Sequence, residues 1–215
     1  MQRQSDAART RLLADEKGPL LVNDWLSTVF IHLEVDRDRL QSLVPFDLDL
    51  YDGRGFVRIV AFTMRRLRFA RGGRLIEWLA TPVAHHGFCN VRTYVRHQCE
   101  PGIYFLGEWL PNALSVHLGP RLFGLPYRFG RLDYRHDADA GVLRGNVQPG
   151  DSAGALKYFA RFDPSIAKTP CDEPSLDAFL VERYTCFTMR RGVARRFRIW
   201  HEPWPTTPID APLTD

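Results

Sequence analysis

The stretch FCNVRTYVRH (residues 88–97) alternates between two kinds of side chain. Its even positions, which include Arg92 and Tyr94, are polar or aromatic, and its odd positions are largely apolar. A period of two is typical of a β-strand that presents different chemistry on its two faces. The stretch IYFLGEW (residues 103–109) follows a turn at residues 100–102, so the sequence predicts two consecutive strands joined by a tight connection.

Further strands and short helices surround this pair. Strands are predicted at 25–35, 56–69, about 184–190 and about 194–201, with a hairpin over 131–147. Helices are predicted at 5–16 and after the capping residues Asp36, Asn112 and Ser175. Many long strands and few short helices predict one β-rich α+β domain over residues 1–215, with residues 1–18 as a helical extension.

The composition is that of an ordinary globular protein. Hydrophobic residues make up 45% and charged residues 25% of the 215 positions, which excludes a wholly disordered chain. No stretch approaches the roughly 18 apolar residues of a membrane helix, and the N-terminus lacks the apolar core of a signal peptide. We therefore expect a cytoplasmic protein without a membrane partner. The four cysteines form no C-x-x-C pair, so free thiols are expected.

Most signatures of enzymes and metal proteins are absent from the sequence. It has no G-x-S-x-G elbow, no Walker loop and no H-E-x-x-H. The Gly53-Arg54-Gly55 string lacks the third glycine of a dinucleotide fingerprint, and the adjacent His85 and His86 would point to opposite faces of a strand. We therefore predict no metal site and no cofactor.

Arginines are concentrated in two clusters. The first contains Arg65, Arg66, Arg68, Arg71 and Arg74, and the second Arg190, Arg191, Arg195, Arg196 and Arg198. Such clusters are consistent with a phosphate-binding surface for nucleic acid or with solvated strand ends. The net charge of only +4 favours the second interpretation.

Other charged residues lie inside strands that otherwise look like core. Arg58 stands between Val57 and Ile59, Arg92 lies within 88–97, and Glu182 ends a predicted helix. A buried guanidinium is costly unless it has a partner. Two schemes remain open: Glu182 neutralises one of the arginines and fixes the strand register, or the arginines converge on a cavity where one grips a ligand carboxylate.

Several strings, taken in order, resemble the YqjF-like domain of unknown function (family 2071). They are YDG (51–53), VAFTM (60–64), NVRTYV (90–95), GIYFL (102–106), GLPY (124–127) and FLVERY (179–184). The resemblance spans about residues 24–205. It implies a fold similar to acetoacetate decarboxylase, in which a curved antiparallel sheet closes into a barrel-like core around a pocket for a small acid.

The resemblance also implies that the decarboxylase chemistry is absent. In the decarboxylase, an aromatic-Pro-Lys-Lys motif supplies the Schiff-base lysine, whereas the similar positions here read Leu125-Pro126-Tyr127-Arg128. A catalytic glutamate of that enzyme falls near Phe88, which cannot titrate. Because a Schiff base needs a nucleophilic amine, the pocket is expected to work differently.

The sequence thus predicts a protein that binds a small organic acid or carbonyl compound in a barrel pocket, with Arg92 as the anion clamp. The candidate binding residues are Arg92, Tyr94, Tyr127, Arg128, His32, Arg58 and Glu182. Whether the ligand is turned over is left open, and no catalytic residue is assigned. The alternatives are a non-enzymatic structural or interaction protein, for instance a homo-oligomer, and a less favoured nucleic-acid-binding protein that uses its arginine clusters.

Overall fold

The structure is a computed structural model and describes residues 4–16, 18–71, 83–151 and 154–209. The strands are β1 (Leu21–Val35), β2 (Asp47–Leu48), β3 (Gly55–Phe69), β4 (His86–His97), β5 (Glu100–Leu110), β6 (Tyr127–Asp137), β7 (Val142–Pro149), β8 (Leu156–Arg161), β9 (Thr169–Pro170), β10 (Thr185–Arg190), β11 (Val193–Arg198) and β12 (Pro205–Thr206). The helices are α1 (Gln4–Leu13), α2 (Arg37–Ser42), α3 (Ala113–Phe123) and α4 (Leu176–Val181).

One large sheet dominates the fold. Its main path runs β1-β3-β4-β5-β6-β7-β8, while β2 pairs with β4, and β10 pairs with both β5 and β11. The pairings of β5 with β6 and of β10 with β5 are parallel, and the others in this sheet are antiparallel. The sheet curls into a half-barrel, so the prediction of a β-rich α+β fold with a curved sheet is confirmed.

The helices begin where the sequence predicts. The side chains of Asp36, Asn112 and Ser175 each accept a hydrogen bond from a backbone amide of the helix that follows. Helix α3 runs to Phe123 and stops at Gly124, whose φ of +72° suits the left-handed cap. Helix α4 ends at Val181, so Glu182 follows the helix as its C-cap.

Strand β4 is buried on both of its faces. On its outer face, Val95 packs in a cluster with Phe46 and Phe187. On its inner face, which the curled sheet encloses, Phe88 and Tyr94 belong to two further apolar clusters. The polar residues between them, Asn90 and Arg92, are therefore held inside the protein.

Candidate functional site

A row of three basic residues crosses the inner face of the sheet. His32 of β1 lies opposite Arg58 of β3, and Arg58 lies opposite Arg92 of β4. Directly opposed residues in antiparallel strands have Cβ atoms about 4.5–5.5 Å apart, so these side chains share one region of the interior. The sheet register therefore brings together three of the predicted site residues.

Arg58 is fully buried and only partly bonded. Its Nη1 donates to the carbonyl oxygen of Leu180 at 2.7 Å, and its Cζ lies 3.7 Å from the ring centre of Phe30. Its Nε and Nη2 have no hydrogen-bond partner in the described ranges. These two nitrogens form one edge of the guanidinium group, the kind of paired donor that binds a carboxylate through two parallel hydrogen bonds.

Arg92 is 5% exposed and has fewer bonding partners than Arg58 among the described residues. Its Nε has no partner, and no residue in the described part of the chain forms an ion pair with it. Burial lowers the pKa of both guanidinium groups, and the charge of Arg92 lowers that of Arg58 further. Among the described residues, two buried cations on adjacent strands thus lack a direct anionic partner.

A second row of polar groups runs beside the first. Asn90 of β4 lies opposite Glu108 of β5, and Glu108 lies opposite Tyr127 of β6. Oδ1 of Asn90 and Oε1 of Glu108 are buried without a hydrogen-bond partner among the described residues. Burial raises the pKa of Glu108 to about 8, although the charge of Arg92 opposes that shift.

A β-bulge turns Glu108 inward. The register of β4 and β5 shifts between the pair Val91–Gly107 and the pair Arg92–Phe105, which leaves Leu106 as the extra residue. Phe105 and Glu108 consequently point to the same inner face, although they are three positions apart. Strict alternation would place them on opposite faces, and for this reason the sequence analysis missed Glu108.

Tyr127 occupies the position where the resemblance would place the Schiff-base lysine. Its ring packs edge-on against Phe88, with the ring centres 5.7 Å apart, and lies over Gly119 of α3. A Cβ atom at Gly119 would come within 2.1 Å of that ring, so the absence of a side chain there makes room for the phenol. Burial, with a contribution from the charge of Glu108, raises the pKa of Tyr127 well above its ordinary value.

Arg128, also a predicted site residue, is not brought to the site. Its Nη1 lies 3.0 Å from Oδ2 of Asp151, and about half of its side chain is exposed. Neighbouring residues on a strand point to opposite faces, so an inward Tyr127 directs Arg128 outward.

Tyr94 and Glu182, the two remaining predicted residues, are buried and already bonded. The Tyr94 hydroxyl donates to the carbonyl oxygen of Leu180 at 2.7 Å, the same atom that Arg58 contacts. Glu182 accepts from the backbone amide of Trp204 at 2.9 Å and from the Tyr184 hydroxyl. Glu182 therefore forms an ion pair with neither Arg58 nor Arg92.

The segment before β12 covers one end of the site. Trp204 packs edge-on against Phe30 at 5.3 Å and lies 5.8 Å from Trp25, measured between ring centres. His201 stacks on Tyr184 at 4.6 Å. Burial is the main cause that lowers the pKa of His201 to about 4, with the charges of Arg58 and Arg92 as further contributions.

The imidazole of His32 also stays neutral at pH 7. Burial lowers its pKa to about 3, and the charges of Arg58 and Arg92 add to the shift. The site therefore presents neutral imidazoles and two guanidinium groups.

A third buried arginine has a structural role. Nη1 of Arg183 lies 3.0 Å from Oδ2 of Asp49, and both side chains are less than a tenth exposed. Its Cζ also lies 4.1 Å from the ring centre of Phe179. The structural scheme left open by the sequence thus applies to Arg183, with Asp49 as the counter-ion in place of Glu182.

Several members of the arginine clusters form ion pairs with acidic residues, and one of the paired histidines is buried. Arg66 pairs with Asp24, and Glu100 binds two members of the second cluster, Arg196 and Arg198. Arg74 lies outside the described residues. His86 is buried against Phe88, and burial lowers its pKa to about 4.

The described ranges hold neither a metal-binding cluster nor a membrane-spanning helix. No group of three histidine, cysteine or acidic side chains there is arranged to hold a metal ion. None of the helices described has the length and apolar character needed to cross a bilayer. All four cysteines are free.

Neither of two depressions on the surface of the described ranges is lined by Arg58 or Arg92. The larger, about 480 Å³, lies against α3 and is lined by His117, Arg121 and Phe129 among others. The smaller, about 120 Å³, lies between α1 and the residues Glu182–Tyr184.

Comparison with known proteins places the chain in a family. Residues 22–215 match the family DUF2071, described as "Uncharacterized conserved protein (COG2071)". The chain belongs to the DUF2071 family. The uncharacterized protein YqjF of Bacillus subtilis (strain 168) is 31% identical to this DUF2071 protein over 185 residues, which are 84% of this chain and 72% of YqjF.

Solved structures similar to this DUF2071 protein share its fold at low sequence identity. An acetoacetate decarboxylase structure aligns with a TM-score of 0.57 and 16% identity, over 92% of this chain and 76% of the other. The acetoacetate decarboxylase of Legionella pneumophila gives a TM-score of 0.54 with 16% identity over 80% of this chain, which spans only 59% of that protein. The enduracididine biosynthesis enzyme MppR complexed with pyruvate gives 0.55 with 13% identity, over 83% and 68% of the two chains.

Proposed function

We propose that this DUF2071 protein binds a small organic acid or carbonyl compound inside the curled sheet, and that the anionic group lies at Arg92 and Arg58. The observation that carries the proposal is the pair of buried guanidinium groups that have no carboxylate partner within the described ranges. A buried charge without compensation is costly, so a bound anion would relieve a cost that the unliganded protein bears.

The geometry of Arg58 supports a carboxylate as the bound group. Its Nη1 is held by the carbonyl oxygen of Leu180, which fixes the guanidinium plane and leaves the Nε–Nη2 edge free. A planar fork of this kind matches the two oxygens of a carboxylate. Arg92 supplies a second cation from the adjacent strand, and Tyr127 and His32 complete the polar wall.

A mechanism without a Schiff base is part of the proposal. Tyr127 stands at the position where the resemblance implies the reactive amine, and a phenol forms no imine. The two lysines in the described part of the chain, Lys157 and Lys168, are both exposed and belong to neither polar row. Decarboxylation through a lysine imine is therefore not proposed.

The similar structures are consistent with a ligand of this class. MppR, which shares the fold at 13% identity, has been solved with pyruvate, a small organic acid. The fold therefore has at least one relative whose structure holds such a compound. Because identity is low, the assignment for this chain depends on Arg58 and Arg92 themselves.

Thermal unfolding with a panel of small carboxylates, oxo acids and neutral carbonyl compounds at millimolar concentration tests the proposal. A ligand at 100 times its dissociation constant stabilises the folded state by about 2.7 kcal/mol. For a chain of this size the unfolding temperature should rise by roughly 5–10 °C, at about 2–4 °C per kcal/mol. The Arg92→Met variant should lose the shift, because charge-assisted hydrogen bonds contribute about 1.5–3 kcal/mol each.

Arg128→Ala is the matched control, since Arg128 follows the site residue Tyr127 in the chain but faces solvent. It should bind the same acids as the wild type. An unchanged shift in Arg92→Met, or equal losses in both variants, would contradict the assignment of the anion to Arg92. If none of the compounds raises the unfolding temperature of the wild type, the proposed function is refuted.

A further inference from the structure

Glu108 is a buried carboxyl group near Arg92 that forms no ion pair with it. It is 4% exposed, and its Oε1 has no hydrogen-bond partner among the described residues. The sheet register places it directly opposite Asn90 and Tyr127, beside the row that contains the two unpaired arginines. The interior therefore holds the row that contains Arg58 and Arg92. Next to it lies the row of Asn90, Glu108 and Tyr127, whose side chains can form hydrogen bonds.

The charges enclosed in this region do not balance. Arg58 and Arg92 contribute two positive charges, and Glu182 contributes one negative charge that reaches Arg58. His32 is neutral at pH 7, as shown above. If Glu108 is uncharged, one positive charge remains, and a low-dielectric interior favours a ligand with a single negative charge.

We propose that Glu108 sets the charge and the chemistry that the site accepts. As an uncharged acid, it donates a hydrogen bond to a second, uncharged oxygen of the ligand whose carboxylate lies at Arg92. After losing its proton, Glu108 itself becomes the counter-charge of Arg92 and competes with the ligand. This inference rests on the proposed function, and it predicts a preference for monoanions with a neutral oxygen, such as oxo or hydroxy acids, over dianions.

Proton uptake would accompany binding wherever Glu108 is ionised. The groups that face or influence Glu108 are Arg92 and Cys89 from β4, Tyr127 from β6 and Cys186 from β10. Burial raises the pKa of both thiols and of the phenol, so they keep their protons near neutral pH. Glu108, with a pKa raised to about 8, is then the member of this group that titrates between pH 7 and pH 9.

Three acids with three carbons each separate the possibilities. Propanoate has no second oxygen, pyruvate has a neutral one, and malonate has a second charged group. Isothermal titration calorimetry at pH 6.5 should show pyruvate binding to the wild type at least tenfold more tightly than either of the others. Affinity for pyruvate should fall by about tenfold between pH 7 and pH 9, because one proton must be taken up per anion bound once Glu108 is ionised.

Glu108→Gln keeps a neutral hydrogen-bond donor of the same shape but cannot ionise. It should bind pyruvate at pH 6.5 within about threefold of the wild type and lose the pH dependence. Circular dichroism and thermal unfolding at both pH values establish that the variant is folded. Glu108→Leu, which has neither charge nor donor, should lose the preference for pyruvate over propanoate.

The outcomes distinguish this inference from the proposed function. If pyruvate binds in an Arg92-dependent way but Glu108→Gln loses affinity at pH 9 as the wild type does, the role of Glu108 is refuted while the anion site stands. If malonate binds as tightly as pyruvate, the proposed preference for monoanions is refuted while the anion site stands. If none of the three acids binds the wild type at either pH, the inference fails together with the anion site.

Discussion

The replacement of Arg92 by methionine should stabilise the unliganded protein. Arg92 is 5% exposed and forms no ion pair with any residue that the structure describes, so the folded state bears the cost of taking its charge out of water. Methionine has a similar length, is uncharged and adapts its shape to the space available. The variant removes the cost of burying a charge in the folded state. Because the unfolded chain keeps either side chain in water, the free energy of unfolding should increase.

The expected magnitude follows from this lack of a partner. Replacing buried charged groups with apolar residues of similar volume stabilises proteins by about 0–4 kcal/mol. Arg92 belongs near the upper part of that range because it has no carboxylate to compensate its charge. In a chain of this size, a gain of 2 kcal/mol would raise the unfolding temperature by roughly 4–8 °C.

Arg183→Met is the control that should behave in the opposite way. The side chain of Arg183 is also largely buried, at 8% exposure, but its Nη1 lies 3.0 Å from Oδ2 of Asp49. Removing one partner of a buried ion pair leaves the other uncompensated and costs about 3–5 kcal/mol. Urea denaturation at pH 7 of the wild type and both variants, without added carboxylates, measures the two changes side by side.

A destabilised Arg92→Met would refute the reasoning. If both variants lost 3 kcal/mol or more, Arg92 would be engaged in a compensating interaction, and its charge would be part of the folded framework. The sign of the change therefore tests whether Arg92 is unpaired without any knowledge of the ligand.

Two further predictions concern Glu108 and Gly119. A carboxyl group such as Glu108, whose pKa is raised to about 8 on folding, binds more protons in the folded state than in the unfolded state. The free energy of unfolding of the wild type should therefore fall relative to that of Glu108→Gln by about 1.4 kcal/mol per pH unit between about pH 5 and 7.5. The same dependence on pH in both proteins, measured by urea denaturation at several pH values, would contradict this. Gly119→Ala places a Cβ atom 2.1 Å from the Tyr127 ring and should destabilise by about 1–3 kcal/mol in thermal unfolding. Gly87→Ala, whose nearest contact would be an ordinary 3.5 Å, should change stability by less than about 1 kcal/mol, and equal effects of the two alanines would refute the packing argument.

The sequence pattern predicted the inner face of β4 and its chemistry. The alternation across residues 88–97 puts Asn90, Arg92 and Tyr94 on one side, and the structure places all three inside the sheet. Period two is a local property of the backbone, so it can be read without knowledge of the partner strands. The same reasoning identified Arg58 as a polar residue in an otherwise apolar strand.

The partners of these residues could not be read in the same way. The bulge at Leu106 changes which residues of β5 point inward, and it arises from the pairing of two strands. The ion pair of Arg183 with Asp49 joins residues 134 positions apart, and the carbonyl oxygen that binds Arg58 belongs to Leu180. Such contacts depend on how the sheet curls, which periodicity does not encode.

The contrast among the three buried arginines favours a ligand over a purely structural role for the polar rows. The fold supplies Arg183 with a carboxylate and two aromatic rings, which shows that this chain can neutralise a buried guanidinium internally. Arg58 receives a carbonyl oxygen and the face of Phe30, whereas no such contact to Arg92 comes from the described residues, and its Nε has no partner among them. Glu108, the inward carboxyl group whose charge would act on Arg92, has its pKa raised to about 8 even though Arg92 acts against that shift. When Glu108 is neutral and neither Arg58 nor Arg92 has an anionic partner among the described residues, the positive charge of this core is poorly compensated. A bound anion would supply the missing negative charge.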